Sequence, residues 1–504
     1  MSLLGLDIGT TNCKGAAFSL EGRCLARASR EYPTLQNHAD WAELDSAAVM
    51  RAVFDIIRDL AGASAAAGDP ARAVCVSALG EAMTPVSRDR QILGNAILHF
   101  DRRGRSEIGG FMERISREEI YDINGNLTSP AFSLAKILWI RKHKPELYGQ
   151  TDKFLLFGEL FFYMAGCEAV TSYSQASRTL LFDLKNQCWS ERLLKLAGLE
   201  ADRLARPVPS GTIAGTISDP IATELNLGRD VLCVVGAHDQ CSNALGVGIC
   251  SPGKAVDGIG TVECITPVYS TIPDAQMLMA AGLNVEHHAV PGLYVSFLYN
   301  QAGNLVKWHR NTFAQSEQKS LGDGAYEFLE KEMPSEPTRL LVLPHFEPTG
   351  PPHYIENSSG VILGLKTSTT RGDILKAIME SETFYFLECI EMLRPLGIDT
   401  SRFVASGGGA KSAAWLQIKA DIMGIPYERA SDPEAGVLGA VIIASKAVGN
   451  ISTYEDACAH FVRPGPCFEP DPQRHVVYRE QFEKYRQLYS RLKDLLQPSP
   501  EVPH

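Results

Sequence analysis

An α/β chain of two domains around a central cleft is the fold this sequence predicts, and three observations carry the prediction. Residues 3–18 read as strand, polar turn and strand, and a helix and another strand follow them. The chain has 504 residues, too many for one hydrophobic core. About 250 residues after the opening stretch, residues 254–265 repeat the order strand, Gly/Thr turn, strand. Two related halves, each with one phosphate-facing turn, would hold a nucleotide in the cleft between them. Two unrelated hairpins fit the same pattern.

The opening stretch organises the rest. Residues 3–8 are the first strand and residues 15–18 the second. The turn between them holds Gly9, Thr10, Thr11, Asn12 and Lys14. Glycine there permits positive φ and close approach of a ligand. Turn N–H groups can shape an anion-binding concavity. The threonine hydroxyls and Lys14 add donors and charge. Asp7 repels a bare phosphate but suits a Mg²⁺ between it and the phosphates of a nucleotide. An ordinary hairpin with a polar turn reads the same way.

Composition narrows the class. Apolar residues make up 45% and charged residues 21%, as in an ordinary globular enzyme. A net charge of -11 argues against nucleic acid or a membrane surface as partner. The 12 cysteines are scattered without a CxxC pair, against a disulfide framework or zinc site. A reducing, cytoplasmic location is therefore expected. No signal peptide is read at the start, where Asp7 interrupts the first apolar run. No apolar run reaches the roughly eighteen residues of a membrane span.

Residues 45–60 carry Val49, Val53, Ile56, Ile57 and Leu60 at helical spacing, with Asp45 or Ser46 as cap and Gly62 as stop. Residues 73–78 read as a buried strand, and residues 130–141 and 190–196 as helices. Residues 231–235 are a short apolar strand running into Gly236, Ala237, His238, Asp239 and Gln240. Residues 250–253 are the expected boundary, giving domains of 1–249 and 250–504. Residues 373–393 read as a long helix. A strand at 403–405 leads into Gly407, Gly408, Gly409, Ala410, Lys411 and Ser412 before a helix through Trp415 and Ile422. A glycine-rich strand-to-helix turn offers helix N–H groups to an anion or the edge of a nucleoside. A final helix is expected over about 477–496, a linker over 464–472 and a loose tail over 498–503.

Residues 248–255 nearly match a P-loop, but Ala255 stands where a hydroxyl is needed and Pro252 lies inside the loop. His287 and His288 have no metal-spaced partner and read as strand or loop residues. Asp239 follows a buried strand and precedes the boundary, so it is expected at the cleft floor. A carboxylate there can take the proton of a hydroxyl attacking a γ-phosphate, or can simply cap a helix over 242–245. Glu81, Asp101 and Arg103 lie after first-domain strands, where polar side chains suit a polyhydroxyl ligand or plain solvent.

In order along the chain, these motifs resemble the FGGY family of carbohydrate kinases, on the two-domain fold of actin, hexokinase and the 70-kDa heat-shock proteins (actin-like, ribonuclease H-like domains). Asp7-Ile8-Gly9-Thr10-Thr11-Asn12-Cys13-Lys14 resembles its first phosphate turn, and Trp41 to Asp45 its tryptophan-acidic segment. Residues 97–103 resemble its substrate-side Asp/Arg segment and residues 236–240 its catalytic-base segment. Gly260-Thr261 resembles the second phosphate turn. Gln301, Gly303, Asn304 and Trp308 resemble a stretch lining the nucleotide pocket, and residues 407–412, with Trp415, Gln417, Glu434 and Gly439, the adenosine-side motif.

The resemblance implies ATP and Mg²⁺ as cofactors, with Asp239 as general base and Asp7 on the metal side. It implies Thr10, Thr11, Asn12, Lys14, Gly260 and Thr261 at the phosphates. Gly303, Lys307, Gly408, Gly409, Ala410 and Ser412 would border the adenosine. Glu81, Asp101, Arg103, Asp239 and Gln240 would face a small sugar or polyol. Such kinases often pair, so a homodimer is compatible with the resemblance. Where xylulokinases usually carry a Met-His-Gly segment, this chain has Ala78-Leu79-Gly80-Glu81-Ala82-Met83. Glu81 resembles glycerol kinase, yet the preceding arginine of those enzymes is Gly80 here and their substrate tyrosine is Ala131. A pentulose such as xylulose is the first expectation. Glycerol, a tetritol, gluconate or another small polyol is the alternative, and an actin-fold ATPase or sugar sensor without turnover is the rival of another class.

Overall fold

The computed structural model describes residues 1–38 and 40–496; the tail expected over 498–503 lies outside the described residues. Two sheets organise the chain. In the first, the order is Ile213–Thr216, Leu232–His238, Ala71–Ala78, Ser2–Ile8, Asn12–Ser19 and Cys24–Glu31. Ser2–Ile8 runs antiparallel to Asn12–Ser19 and parallel to Ala71–Ala78, which is parallel to Leu232–His238. The second sheet repeats this core. Lys254–Ile259 is antiparallel to Glu263–Tyr269 and parallel to Arg402–Ser406, which is parallel to Tyr427–Arg429. The two hairpins correspond, with an Ile-Gly-Thr corner in each: Ile8-Gly9-Thr10 and Ile259-Gly260-Thr261.

One face of the first sheet is covered by the helices Ser46–Ala66 and Phe157–Met164. The other carries Ala435–Ala447, a helix from the far end of the sequence. Gly5, in the central strand, makes room for it: a Cβ there would lie 2.6 Å from the Val437 carbonyl oxygen. In return, Asp239–Gly246 leaves the first sheet and packs beneath the second, beside Val256 and Val268. These two helices cross at glycines. A Cβ on Gly246 would overlap the Ala435 carbonyl, and one on Gly439 the Ser242 carbonyl. The second sheet is backed by Arg371–Leu393, Ala413–Met423 and Pro472–Tyr485. Among the described residues no helix is long and apolar enough to cross a membrane.

Most expected elements form, and three differ. The first helix does not stop at Gly62 but runs to Ala66. Its Ala-rich continuation buries Ala61 and Ser64, which outweighs the roughly 1 kcal/mol cost of one glycine. The expected final helix is two, Pro472–Tyr485 and Leu488–Leu496. The break is a tighter turn in which Gln487 N–H donates to Lys484 O at 3.2 Å. The expected linker over 464–472 contains the strand Cys467–Phe468, which pairs with Tyr427–Arg429 at the sheet edge, where proline is tolerated. The P-loop-like residues lead into the strand Lys254–Ile259 rather than a helix, in keeping with their exclusion.

Gly439→Ala is expected to lower unfolding stability by about 1–3 kcal/mol, because the added methyl forces the helix pair apart. Gly62→Ala, whose methyl meets nothing within 4 Å, should raise it slightly. Urea denaturation measures both, and an unchanged midpoint for Gly439→Ala would refute the tight crossing.

Candidate active site

Three adjacent parallel strands of the first sheet end at one edge. Asp7 lies opposite Ser77, and Ala78 opposite both Ile8 and His238. The loops leaving these strands carry Gly9–Thr11, Glu81 and Asp239, at the carboxyl ends where α/β sheets receive ligands. Gly9 N–H donates to Asn12 O at 2.9 Å, and Tyr32 Oη donates to Gly9 O at 2.7 Å. The corner is therefore fixed by backbone bonds. Among the described residues the Thr10 and Thr11 hydroxyls and the Asn12 amide make no hydrogen bond. Lys14 instead reaches Glu434 at 2.8 Å, at the start of Ala435–Ala447.

Asp239 is the first residue of its helix, and its Oδ1 accepts from the Gln240 N–H at 2.6 Å. Burial, with Asp7 and Glu81 close by, pushes its carboxyl up to about 8. Burial also raises Asp7 to about 6, against a hydrogen bond from Ser77 Oγ at 3.0 Å and the charge of Lys14. His238, beside Asp239 at 3.3 Å, is pushed down to about 3 by burial and the charge of Arg178, so it is neutral. Gln240 turns its side chain toward Gly258 of the second sheet, and its Oε1 is buried without a protein partner among the described residues.

The second corner is assembled from three distant segments. Gly303, in the helix Ala302–Phe313, rests on Gly260 so closely that a Cβ would overlap its carbonyl, and Asn304 N–H donates to Thr261 O at 3.0 Å. Gly407 has φ +84 and a Cβ there would lie 2.8 Å from Ile259 O. Gly409 packs on the Ile259 side chain, while Gly408 faces open space. Ser412 caps Ala413–Met423, its Oγ accepting from Trp415 N–H at 3.0 Å. Thr261 and Lys307 are exposed, whereas Ala410 is buried. Beneath this corner the fully buried Lys419 pairs with Asp257 at 3.1 Å and with Glu263.

On the other side of Asp239, Glu81 takes a left-handed backbone, φ 61, unusual for a side-chain-bearing residue. Ser133 Oγ holds its carbonyl at 2.9 Å. Arg178 Nε donates to Glu81 Oε1 at 2.7 Å, and the same guanidinium pairs with Glu286 of the second sheet. Asp101 and Arg103 are brought to each other rather than opened to a ligand. Arg103 Nη2 meets Asp101 Oδ2 at 2.7 Å and Nη1 meets Glu43 Oε1 at 2.6 Å, with the guanidinium 4.0 Å from the Trp41 ring centroid. Asp101 also accepts from Ala42 N–H at 2.6 Å. Both side chains are buried. His287 and His288 are buried too, His287 Nε2 lying 2.9 Å from Leu184 O.

Arg178, Glu286 and Lys419 carry no sequence signal for these places. Arg178 meets carboxylates 97 and 108 residues away, and no local spacing encodes such partners. The site thus has two polar corners on two sheets, a buried acid between the strand ends and a carboxylate-rich pocket beside it.

The chain matches known proteins over most of its length. Residues 2–246 match the N-terminal domain of the FGGY family of carbohydrate kinases, and residues 269–448 match its C-terminal domain. The chain is 27% identical to the xylulose kinase of Bacillus subtilis over 495 residues, covering 98% of this chain and 97% of the relative. It is 26% identical to the gluconokinase of the same organism, covering 96% and 94%. The crystal structure of xylulose kinase from Rhodospirillum rubrum superposes with a TM-score of 0.88 at 25% identity, covering 98% and 99%. The chain belongs to the FGGY family of carbohydrate kinases, ATP-dependent phosphotransferases built on the two-domain actin-like fold.

Proposed function

We propose that this kinase transfers the γ-phosphoryl group of ATP to a hydroxyl of a pentulose such as xylulose, or of a closely related small polyol, with Asp239 as general base. One observation supports the reading most. Asp239 opens its helix at the strand edge shared with Asp7, between two Ile-Gly-Thr corners on two sheets. The xylulose kinase relatives favour a pentulose, while Glu81, in a segment that departs from the Met-His-Gly usual in xylulokinases, keeps the related polyols in view.

In the step, Asp239 takes the proton of the attacking hydroxyl as its oxygen bonds to the γ-phosphorus. The bond from that phosphorus to the β–γ bridging oxygen breaks, and ADP leaves with the electron pair. A carboxyl raised to about 8 is, once ionised, a stronger base toward this proton than an ordinary carboxylate. Thr10, Thr11, Asn12 and Lys14 on one corner, with Gly260 and Thr261 on the other, are assigned to the phosphates. For Lys14 this means exchanging Glu434 for the nucleotide. Gly303, Lys307, Gly408, Gly409, Ala410 and Ser412 are assigned to the adenosine side. Closure of the two domains, taken as 1–249 and 250–504, would exclude water and align the reactants.

Asp7 fits a Mg²⁺, because it is a partly open carboxylate close to the charge of Asp239. No group of three metal-binding side chains exists among the described residues. That suits an ion held mostly by phosphate oxygens and water, with Asp7 as its protein contact. When bound, the ion neutralises charge on the transferred phosphate. Asp101 and Arg103 are read as supports of the acceptor loop rather than as sugar contacts.

Asp239→Asn is expected to lower kcat by about 10²–10⁴ with little change in the KM for ATP. Near-normal turnover would overturn the assignment. Thr261→Val should raise the KM for ATP and leave that for the acceptor unchanged, as read by coupled ADP-release kinetics. Arg103→Met leaves the buried Asp101 and the half-buried Glu43 without their cation and should cost about 3–5 kcal/mol in thermal or urea unfolding. ADP release that is equally fast without any acceptor would refute sugar phosphorylation itself.

A further inference from the structure

Gly80 has no space for a side chain. A Cβ there would lie 2.8 Å from Arg178 Cγ and 3.0 Å from His238 Cδ2. The stem of Arg178 fills that space, and its guanidinium lies 4.9 Å from the Phe132 ring and 5.6 Å from the Phe297 ring. An arginine from the end of the helix Tyr173–Ser177 thus stands where residue 80 would otherwise project.

Three of its five N–H donors are engaged by two carboxylates. Nε and Nη2 go to Glu81 Oε1, and Nη1 to Glu286 Oε1, which also accepts from Asn284 Nδ2 at 3.0 Å. Glu286 is fully buried and belongs to the second sheet, so one cation ties the two halves together beside Asp239. The pocket's other buried cation, Lys136, is spent on the carbonyls of Pro130, Ala131 and Phe132. Glu81 keeps Oε2 without a hydrogen bond among the described residues. Burial opposes its charge, but Arg178, His99, His238 and Lys136 hold its carboxyl down at about 2. His99 stands next to it on an exposed loop.

We infer that Arg178 is a specificity-determining residue: its charge is shared between Glu81 and Glu286, and it presents Glu81 as an ionised hydrogen-bond acceptor. The pocket is therefore built for an uncharged polyhydroxy substrate and rejects one carrying a carboxylate. A hydroxyl donates to Glu81 Oε2, whereas a carboxylate there meets the like charge of Glu81. Glu286 acts through Arg178 as a positioning residue. This inference rests on the sugar-kinase reading and specifies its substrate class.

The experiment is ADP release by the full-length enzyme with xylulose, ribulose, erythritol, glycerol or gluconate, repeated for E81Q, E286Q and R178M. At least one uncharged acceptor should be turned over, with gluconate at background. E81Q should lower kcat/KM for the preferred acceptor roughly 10- to 100-fold while narrowing its advantage over gluconate. E286Q should raise the KM of the acceptor and leave the KM for ATP unchanged, a split that general loss of structure does not produce. R178M should lose acceptor turnover. If it fails to fold, as judged by circular dichroism, E286Q and E81Q still decide the question. Gluconate as the preferred acceptor, or E81Q and E286Q both indistinguishable from wild type, would overturn the inference alone. No acceptor-dependent release with any compound would overturn the kinase reading and this inference with it.

Discussion

The two helices Asp239–Gly246 and Ala435–Ala447 cross in backbone contact, and the site depends on that crossing. Gly246 sits against the Ala435 carbonyl and Gly439 against the Ser242 carbonyl. Gly5 lets the second helix down onto the central strand, and Gly436 brings its first turn against Asp7, where a Cβ would lie 2.5 Å from Oδ2. Each half thereby lends a helix to the other. The contact is set by main-chain volume, which cannot change rotamer to relieve pressure. The ion pairs at the same junction, Lys14 with Glu434 and Arg27 with Asp432, are about a third exposed on the basic side. Pairs of that kind contribute little, so packing rather than charge joins the halves.

That junction also explains the electrostatics of the cleft. Parallel strands deliver their carboxyl ends to one edge, and the loops there carry Asp7, Glu81 and Asp239. Burial raises the carboxyls of Asp7 and Asp239, and for Asp239 the charges of Asp7 and Glu81 add to it. Glu81 adds backbone strain, of the order of 1–3 kcal/mol for a residue in the left-handed region. A fold selected for stability alone would remove these features. Their concentration at one sheet edge is what a reactive centre looks like in physical terms. The contrast with Asp101 and Arg103 is instructive: the same residue types, saturated by Glu43, Ala42 and Trp41, form a support.

Much of this was legible in the chain. The two hairpins, the long helices and the strand before Asp239 follow from periodicity and from glycine-rich corners. Each depends on neighbours a few residues apart. The misjudged segments share a cause. Gly62, the break at Arg486 and Gln487, and the strand at Cys467 are decided by what packs on them, not by local preference.

The amino-acid sequence by itself determined the two-domain α/β architecture, the pair of Ile-Gly-Thr corners and the acid that follows the third parallel strand. Only the tertiary structure decided which polar groups remain available. It spent Arg103 on Asp101 and Glu43, put Arg178 into the space left by Gly80, and set Gly303 and Gly407 behind the second corner. The reason is range. Hydrophobic period and turn chemistry act between residues close along the chain, whereas ion pairing and backbone contact join residues that only the folded arrangement of the two sheets brings within reach.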